Sequence, residues 1–524
     1  MALLSPATPP KVSLVQVPEQ PFNTAIAAAR TCYSSRVITA QDVTATEQSR
    51  AQRDSIAQST FEAGHHTVFQ HASFTFVLEQ VSRQVIWSLL HAHPFYNSEQ
   101  VSQRYVEVKA GRYHVPALSD EARALYVQTV DEMHTTYKSL VEALTPTAAE
   151  AYFGVFPSRK RHAEKYGKDI KKKAQEIARY ALPVATHAHL YHSITSLTLF
   201  RYWRLCQQLD VPDEARALIE TMVAQVRALD VDLFKNVQDP MPLEDTLEFR
   251  VLKDLGVDPH GGGNGGAFCR EFDEDLQGRT SRLWGYGADA ERAVAQAVRD
   301  TLGLTRGQLD DDNAIERVLD PARNPYLGER LNLGTVAKLT RALNHASYTF
   351  RKKLSHTADS QDQRHRMTPA SRPVLARQVD LGRVDVVIPP LLAQTPAGVE
   401  RFHACMEKVW SAMRQLAETR VPAESWSYLL PNAFPVRFME TGDLLHHHHK
   451  WTTRLCFTAQ EEIWRACVDE VEQVQQVHPR LGKWLLPPCG LRHRAETTPY
   501  CPEGSRYCGV PVWRKQMSEY LRVI

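Results

Sequence analysis

The chain has no run of 18 apolar residues, so its sequence offers no candidate for a membrane-spanning helix. Its opening residues, MALLSPATPPKVSLVQ, lack the basic stretch and long apolar run of a secretory signal. A cytoplasmic protein with no membrane partner is the expectation. Charge of one sign is not in excess either. Lys and Arg total 62 against 60 Asp and Glu, a formal net charge of +2, which gives no field for nucleic acid or an anionic lipid surface. Nine cysteines in 524 residues suit reduced thiols better than a disulfide framework. What remains is ordinary for a globular protein: 43% hydrophobic and 23% charged residues, in a length sufficient for two to four domains.

The informative feature is internal repetition. HASFTF at His71–Phe76 recurs as HASYTF at His345–Phe350. The Ala-rich stretch Phe22–Ser35 has a counterpart in Gly285–Gly303, each read as a helix. YHVPAL (Tyr113–Leu118) corresponds to VVIPPL (Val386–Leu391), and EIARYALP (Glu176–Pro183) to ESWSYLLP (Glu424–Pro431). Four matches in one order imply a tandem duplication. Between the copies, five of the six positions from Gly261 to Gly266 are glycine. No Lys-Ser/Thr follows and no clear strand precedes, so a flexible linker is expected rather than a phosphate loop.

Two-residue alternation puts Phe74, Phe76 and Leu78 on one face of a strand. Val81–His93 has helical spacing, ended by Pro94. Asp120–Leu144, Asp213–Phe234, Gly398–Glu418 and Glu461–Val477 read as amphipathic helices. The expected fold class is α+β. The expected division is a first repeat over 1–250, a Gly-rich linker over 251–280, a second repeat over 281–484 and a C-terminal tail over 485–524.

AIAAARTCYSS, HHTVFQHASFTFVLEQVSR and SEQVSQRY together resemble the flavin-dependent thymidylate synthases over most of residues 10–240. The signature of that family is Arg-His-Arg, then Ser, then Ser-x-Arg-Tyr. The first half keeps Glu99, Ser102, Arg104 and Tyr105 but has His91-Ala92-His93 for the triplet and Ser88 for a family Gln. It also keeps Arg179. The next family arginine falls on Cys206, or on Arg204 after a two-residue shift. The second half keeps Gln361, Arg364, His365, Arg366 and Arg454 but has only ASRPV (Ala370–Val374) for Ser-x-Arg-Tyr, and Ser427 for Arg179. His449 matches a position near flavin. The copies have eroded in complementary places. The resemblance implies two fused repeats, each a short antiparallel sheet flanked by long helices. It implies one composite site drawn from both repeats, and a homodimer that mimics the family homotetramer.

The implied reaction is methyl transfer to C5 of dUMP, with FAD as cofactor and methylenetetrahydrofolate and NADPH as co-substrates. A nucleoside monophosphate and a flavin pyrophosphate are anionic, and guanidinium forks bind phosphate through paired hydrogen bonds. Arg104, Arg179 and Arg454 are the candidates for the nucleotide, with Glu99, Ser102, Tyr105 and Gln361 beside them. Ser102, Arg104, Gln361 and Arg454 are the candidate catalytic set. Arg364, His365, Arg366 and His449 are the candidates for FAD. Ser102 has no neighbouring base in sequence and reads as a binding residue, not a nucleophile. Two rival readings stand beside this one: a non-catalytic nucleotide- or flavin-binding relative, and alkylation of another pyrimidine nucleotide.

His91 and His93 read as a worn remnant of the triplet rather than metal ligands. The internal run His446–His449 reads as a partly buried polar helix face with one or two rings toward the site. The tail carries Cys489, His493, Cys501 and Cys508, a C-x3-H-x7-C-x6-C pattern that would suit a structural zinc.

Overall fold

In a computed structural model the described residues are 9–522 and 524. The first eight residues of the N-terminal stretch read for a leader lie outside them. Among the described residues no helix is long and apolar enough to cross a membrane.

The described residues form two antiparallel four-stranded sheets of identical topology. β1 (Lys11–Gln16), β2 (Ser73–Ser82), β3 (Tyr96–Gln100) and β4 (His187–Thr195) run in the order β1-β2-β4-β3. β5 (Ser281–Tyr286), β6 (Ser347–Ser355), β7 (Ala370–Ser371) and β8 (Pro435–Asp443) run β5-β6-β8-β7. The register repeats as well. Phe76 lies opposite Leu14 and His192, and Phe350 lies opposite Leu283 and Glu440. Each first strand bulges at the same place, between Leu14 and Gln16 and between Leu283 and Gly285. Phe74, Phe76 and Leu78 are fully buried, as the alternation predicts.

Three local expectations need correction. Gly285 and Tyr286 end a strand, and the helix of that segment spans only Ala290–Leu302. Val81 and Ser82 likewise finish β2, where Gln80 adopts a positive φ of 59° at a second bulge. A short α-turn (Arg83–Val85) and a π-turn (Ile86–Leu90) follow in place of a regular helix. Third, the glycine-rich stretch is fixed and not free. Gly263 and Gly265 donate backbone hydrogen bonds to Ala376 and Val379, and a Cβ on Gly265 would stand 2.6 Å from the Arg377 carbonyl oxygen. Glycine is needed there for close backbone approach.

The compact units do not follow the linear division. One comprises Met1–His134, Leu182–Gly262 and Glu407–Leu430; the other comprises Thr135–Ala181, Gly263–Met406 and Pro431–Ile524. The helix Asp120–Val155 is therefore divided, and so is Pro396–Glu418. Each sheet shares its unit with helical segments from the other half of the sequence, and the tail belongs to the second unit.

The second unit buries a charged cluster. Lys352 on β6 contacts Asp362 at 2.9 Å, Glu470 at 2.9 Å and Glu440 at 3.5 Å; Lys450 contacts Asp362 at 2.8 Å and Glu440 at 2.6 Å, all five side chains being 0% exposed. Burial alone would neutralise Lys352, but Asp362, Glu440 and Glu470 outweigh it and hold the ammonium charged. Two ammoniums balance two carboxylates; burial then pushes the third, Glu440, up to about 7. Asp362 adjoins Gln361, and Lys450 lies one turn before Arg454, so the cluster fixes the elements that carry both.

Replacing Lys352 with Met should destabilise the protein by about 3–5 kcal/mol, because the carboxylates stay buried with one cation fewer; urea unfolding reads this. A pH effect is also expected. Burial holds His447 down to about 3, so between about pH 6.5 and 3 the unfolded chain takes up a proton that the folded chain refuses. Stability is lost as pH falls through that window, by at most about 5 kcal/mol for this group. His447→Gln should flatten the acid limb of a stability–pH curve measured by chemical denaturation.

Candidate functional site

In the second unit four element ends meet. Helix Ala163–Ala178 runs into a 3₁₀ turn at Arg179–Ala181; helix His356–Asp362 starts from Ser355, whose side chain caps it; helix Leu444–Arg454 ends at Arg454; and Gln460 is the N-cap residue of helix Glu461–Val477. Gln460 joins them. Its Oε1 accepts from Arg179 Nη2 at 2.9 Å and from Gln361 Nε2, and its Nε2 donates to Tyr180 Oη at 2.7 Å. Tyr180 Oη donates to Glu462 Oε2 at 2.6 Å, and the same carboxylate accepts from Ser355 Oγ at 2.6 Å and from the Ser355 N–H. Arg179 and Gln460 are only 4% and 2% exposed, so this is an interior network and not a surface charge pattern.

Arg454 extends it. Its Nη2 donates to the Gln361 carbonyl at 3.0 Å and its Nε to His365 Nε2 at 3.0 Å. His365 is thereby an acceptor, and burial, reinforced by Arg454, holds it neutral well below the usual imidazole range. The His449 ring centroid stands 6.0 Å from that of His365. Arg364 is exposed and Arg366 half-buried on the turn after the helix. Arg179, from the first half of the sequence, thus shares one hydrogen-bonded network with Gln361, His365 and Arg454 from the second. Gln460 and Glu462, within AQEEI (Ala459–Ile463), are not among the site residues expected from the sequence.

A cavity of about 340 Å³ flanks the network, lined by Tyr180, Gln460, Glu462, Lys173 and Arg465 among others. Gln361, His365 and Arg454 are not in its wall. Glu440, His447 and Glu470 bring ligand-type atoms within 4.8 Å of one another, but the ammoniums of Lys352 and Lys450 already bond two of those carboxylates. Those two carboxylates therefore serve as counter-charge.

In the first unit, Glu99 lies on β3 opposite Tyr191, and the chain turns directly after it. Ser102 Oγ accepts from the Arg104 N–H at 3.2 Å, and the Ser102 carbonyl accepts from Tyr105 and Val106. The Arg104 guanidinium lies 5.5 Å from the centroid of the half-exposed Tyr105 ring. The counterpart strand β7 has two residues, which is the structural form of the missing Ser-x-Arg-Tyr element. His91 stacks on Tyr96 with planes 7° apart, and His93, held down to about 4 by burial and Arg201, meets Tyr202 edge-on. Both rings pack as aromatics. The triad recurs here too: Glu214 accepts from Ser82 N at 2.7 Å, Ser82 Oγ at 2.5 Å and Tyr428 Oη at 2.7 Å. Ser427 precedes that tyrosine where Arg179 precedes Tyr180, and Gln208 Nε2 reaches Ser88 at 3.3–3.4 Å.

The sequence profile described as "Thymidylate synthase complementing protein" matches residues 13–230 and again 282–480. The chain belongs to this family, twice over. A flavin-dependent thymidylate synthase from Clostridium tetani is 26% identical over 228 residues, 43% of this chain and 85% of that protein. Another, from Geobacter sulfurreducens, is 30% identical over 226 residues, 42% of this chain and 90% of that protein. The solved flavin-dependent thymidylate synthase of Helicobacter pylori, complexed with FAD and dUMP, is 16% identical over 44% of this chain and the whole of that one, with a TM-score of 0.31. The two matched segments coincide with the two sheet repeats.

His448 Nε2 is buried without a hydrogen-bond partner, in a recess lined by His448, His449, Asn332, Thr335 and Thr340. A bound polar group would satisfy it; Arg364 and Arg366 are not in the wall of that recess.

Glu462→Ala should cost roughly 2–5 kcal/mol of stability by stranding the Ser355 N–H, Ser355 hydroxyl and Tyr180 hydroxyl in the interior. Glu214→Ala should cost a similar amount in the first unit. Thermal unfolding of both variants checks whether the duplicated triads carry equal weight.

Proposed function

We propose that this family member is an FAD-dependent methyltransferase that forms thymidylate from dUMP, with methylenetetrahydrofolate as carbon donor and NADPH as reductant. The observation that carries the reading is the network in which Arg179 of one repeat joins Gln361, His365 and Arg454 of the other. Complementary erosion of two family copies predicts that combination, and a scaffold without ligand has no need of it.

The chain's residues would act as follows. Arg454 and Arg179 hold the nucleotide phosphate; both are already oriented by acceptors, so little side-chain entropy is lost on binding. The Gln361 amide, held by Gln460, reads the uracil edge. Glu99, Ser102, Arg104 and Tyr105 are the first repeat's further contribution to nucleotide binding. His365, kept neutral, accepts a hydrogen bond from Arg454 and, with Arg364, Arg366 and His449, receives the flavin. Bound FAD supplies hydride chemistry that no amino-acid side chain offers. The protein supplies position and charge. A cytoplasmic homodimer is the proposed working state.

Purified protein should show a flavin absorption band and convert dUMP to dTMP when both co-substrates are present. Arg179→Ala and Arg454→Ala should each weaken dUMP binding about 10- to 100-fold, the loss of one charge-assisted pair, while flavin stays bound. Protein that takes up no flavin on reconstitution would point to the non-catalytic reading. Flavin uptake with turnover of a different pyrimidine nucleotide would point to the other rival.

A further inference from the structure

The second unit gathers four thiols. Cys456 lies two residues beyond Arg454, Cys489 lies in the helix Pro488–Arg494, and Cys501 and Cys508 lie in the C-terminal segment. All four line one small cavity, together with Pro488, Pro502 and Tyr507 among others. None is in a disulfide. The backing is apolar: Phe457, Trp464, Val512 and Tyr520 form a buried cluster against which Cys489 and Cys508 pack.

The Cys508 sulfur donates to the Val510 carbonyl at 3.5 Å, and the Cys456 sulfur lies 3.1 Å from Thr458 Oγ1. The segment Pro499–Ile524 holds only three 3₁₀ turns among the described residues and packs through Val510, Val512, Met517 and Tyr520; a metal centre would add a second anchor.

The ligand set differs from the one the tail sequence suggests. His493 is absent from the cavity wall, and its ring packs edge-on against Tyr500 at 4.9 Å. Cys456, 33 residues before Cys489 by their numbering, takes the fourth place. The sulfur spacing then selects the kind of centre. Around a single zinc, with Zn–S near 2.3 Å, tetrahedral sulfurs stand about 3.8 Å apart. Among the described residues the group of three ligand atoms mutually within 4.8 Å is Glu440, His447 and Glu470, not any three of these thiols. Sulfurs around a common cavity but wider apart fit a polynuclear centre held by four cysteines.

We propose that Cys456, Cys489, Cys501 and Cys508 ligate a [4Fe–4S] cluster that fastens the C-terminal segment beside the end of the Arg454 helix. The centre is structural in this proposal, and no electron transfer is assigned to it.

The test is metal and acid-labile sulfide analysis of the full chain purified without oxygen, followed by reconstitution with ferrous iron and sulfide. About four iron and four sulfide per chain are expected, with a reduced-state paramagnetic signal that flavin does not give. Cys456→Ser should lower the iron content several-fold, whereas His493→Ala and Cys269→Ser, the latter a buried thiol elsewhere, should retain it. One zinc per chain with no iron would overturn the cluster. So would folded wild-type protein that takes up neither metal, or iron that persists in Cys456→Ser but is lost in His493→Ala. The wild-type measurement decides the matter even where a Cys→Ser variant fails to fold.

Discussion

The constraint on which the candidate site depends is a half-buried carboxylate that must find donors. Glu462 starts a helix of the second repeat and takes its hydrogen bonds from Ser355, at the end of β6, and from Tyr180. Tyr180 comes from the first half of the sequence. An unpaired carboxylate in that position would be costly, so the tyrosine cannot drift, and Arg179 beside it is placed by the same bond. Gln460 then spans the gap between Arg179 and Gln361. The arginine therefore arrives at the site as the neighbour of a structural residue.

The same device exists in the first unit, where Glu214 bonds Ser82 and Tyr428. Its retention in both copies, against the loss of Arg179's counterpart in one, separates two kinds of requirement. The triad holds each unit together and survives in both. The charged residues around it serve a ligand, and they differ. Where the second unit has Gln361 and Arg179, the first has Ser88 and Ser427. Where the second has the Arg364–Arg366 triplet, the first has His91 stacked on Tyr96. An aromatic stack closes the space that guanidinium groups would keep polar. The second unit also keeps a charged interior under its site, with Lys352 and Lys450 locked between carboxylates, which fixes the helices that carry Gln361 and Arg454.

Much of this was legible before any coordinates. The strand through HASFTF fell where alternation put it, and the helix Glu461–Val477 matches its expected limits. The family triplet and the arginines were found by resemblance and spacing. Other features were not legible, for identifiable reasons. Gly285 and Tyr286 lie where an Ala-rich helical pattern begins, yet pairing with Thr349 and Tyr348 draws them into a sheet. The glycine run looks like a linker because composition does not reveal that Gly265 must pass against the backbone of residues 377–378. Cys456 escaped notice as a metal ligand candidate because its partners lie in a segment with no counterpart in the other repeat.

By itself the sequence determined that the chain is a duplication, which family it comes from, and which motif each copy kept. Those are properties of residue identity and order, and they need no folding to be read. Only the tertiary structure decided which copies of the surviving residues share a unit. That depends on burial, because a helix segment goes where its apolar face and its one buried tyrosine are satisfied, without regard to which repeat encoded it. For this reason Arg179 stands with Gln361 and Arg454, and a cysteine just past the end of the site helix lines one cavity with three from the tail.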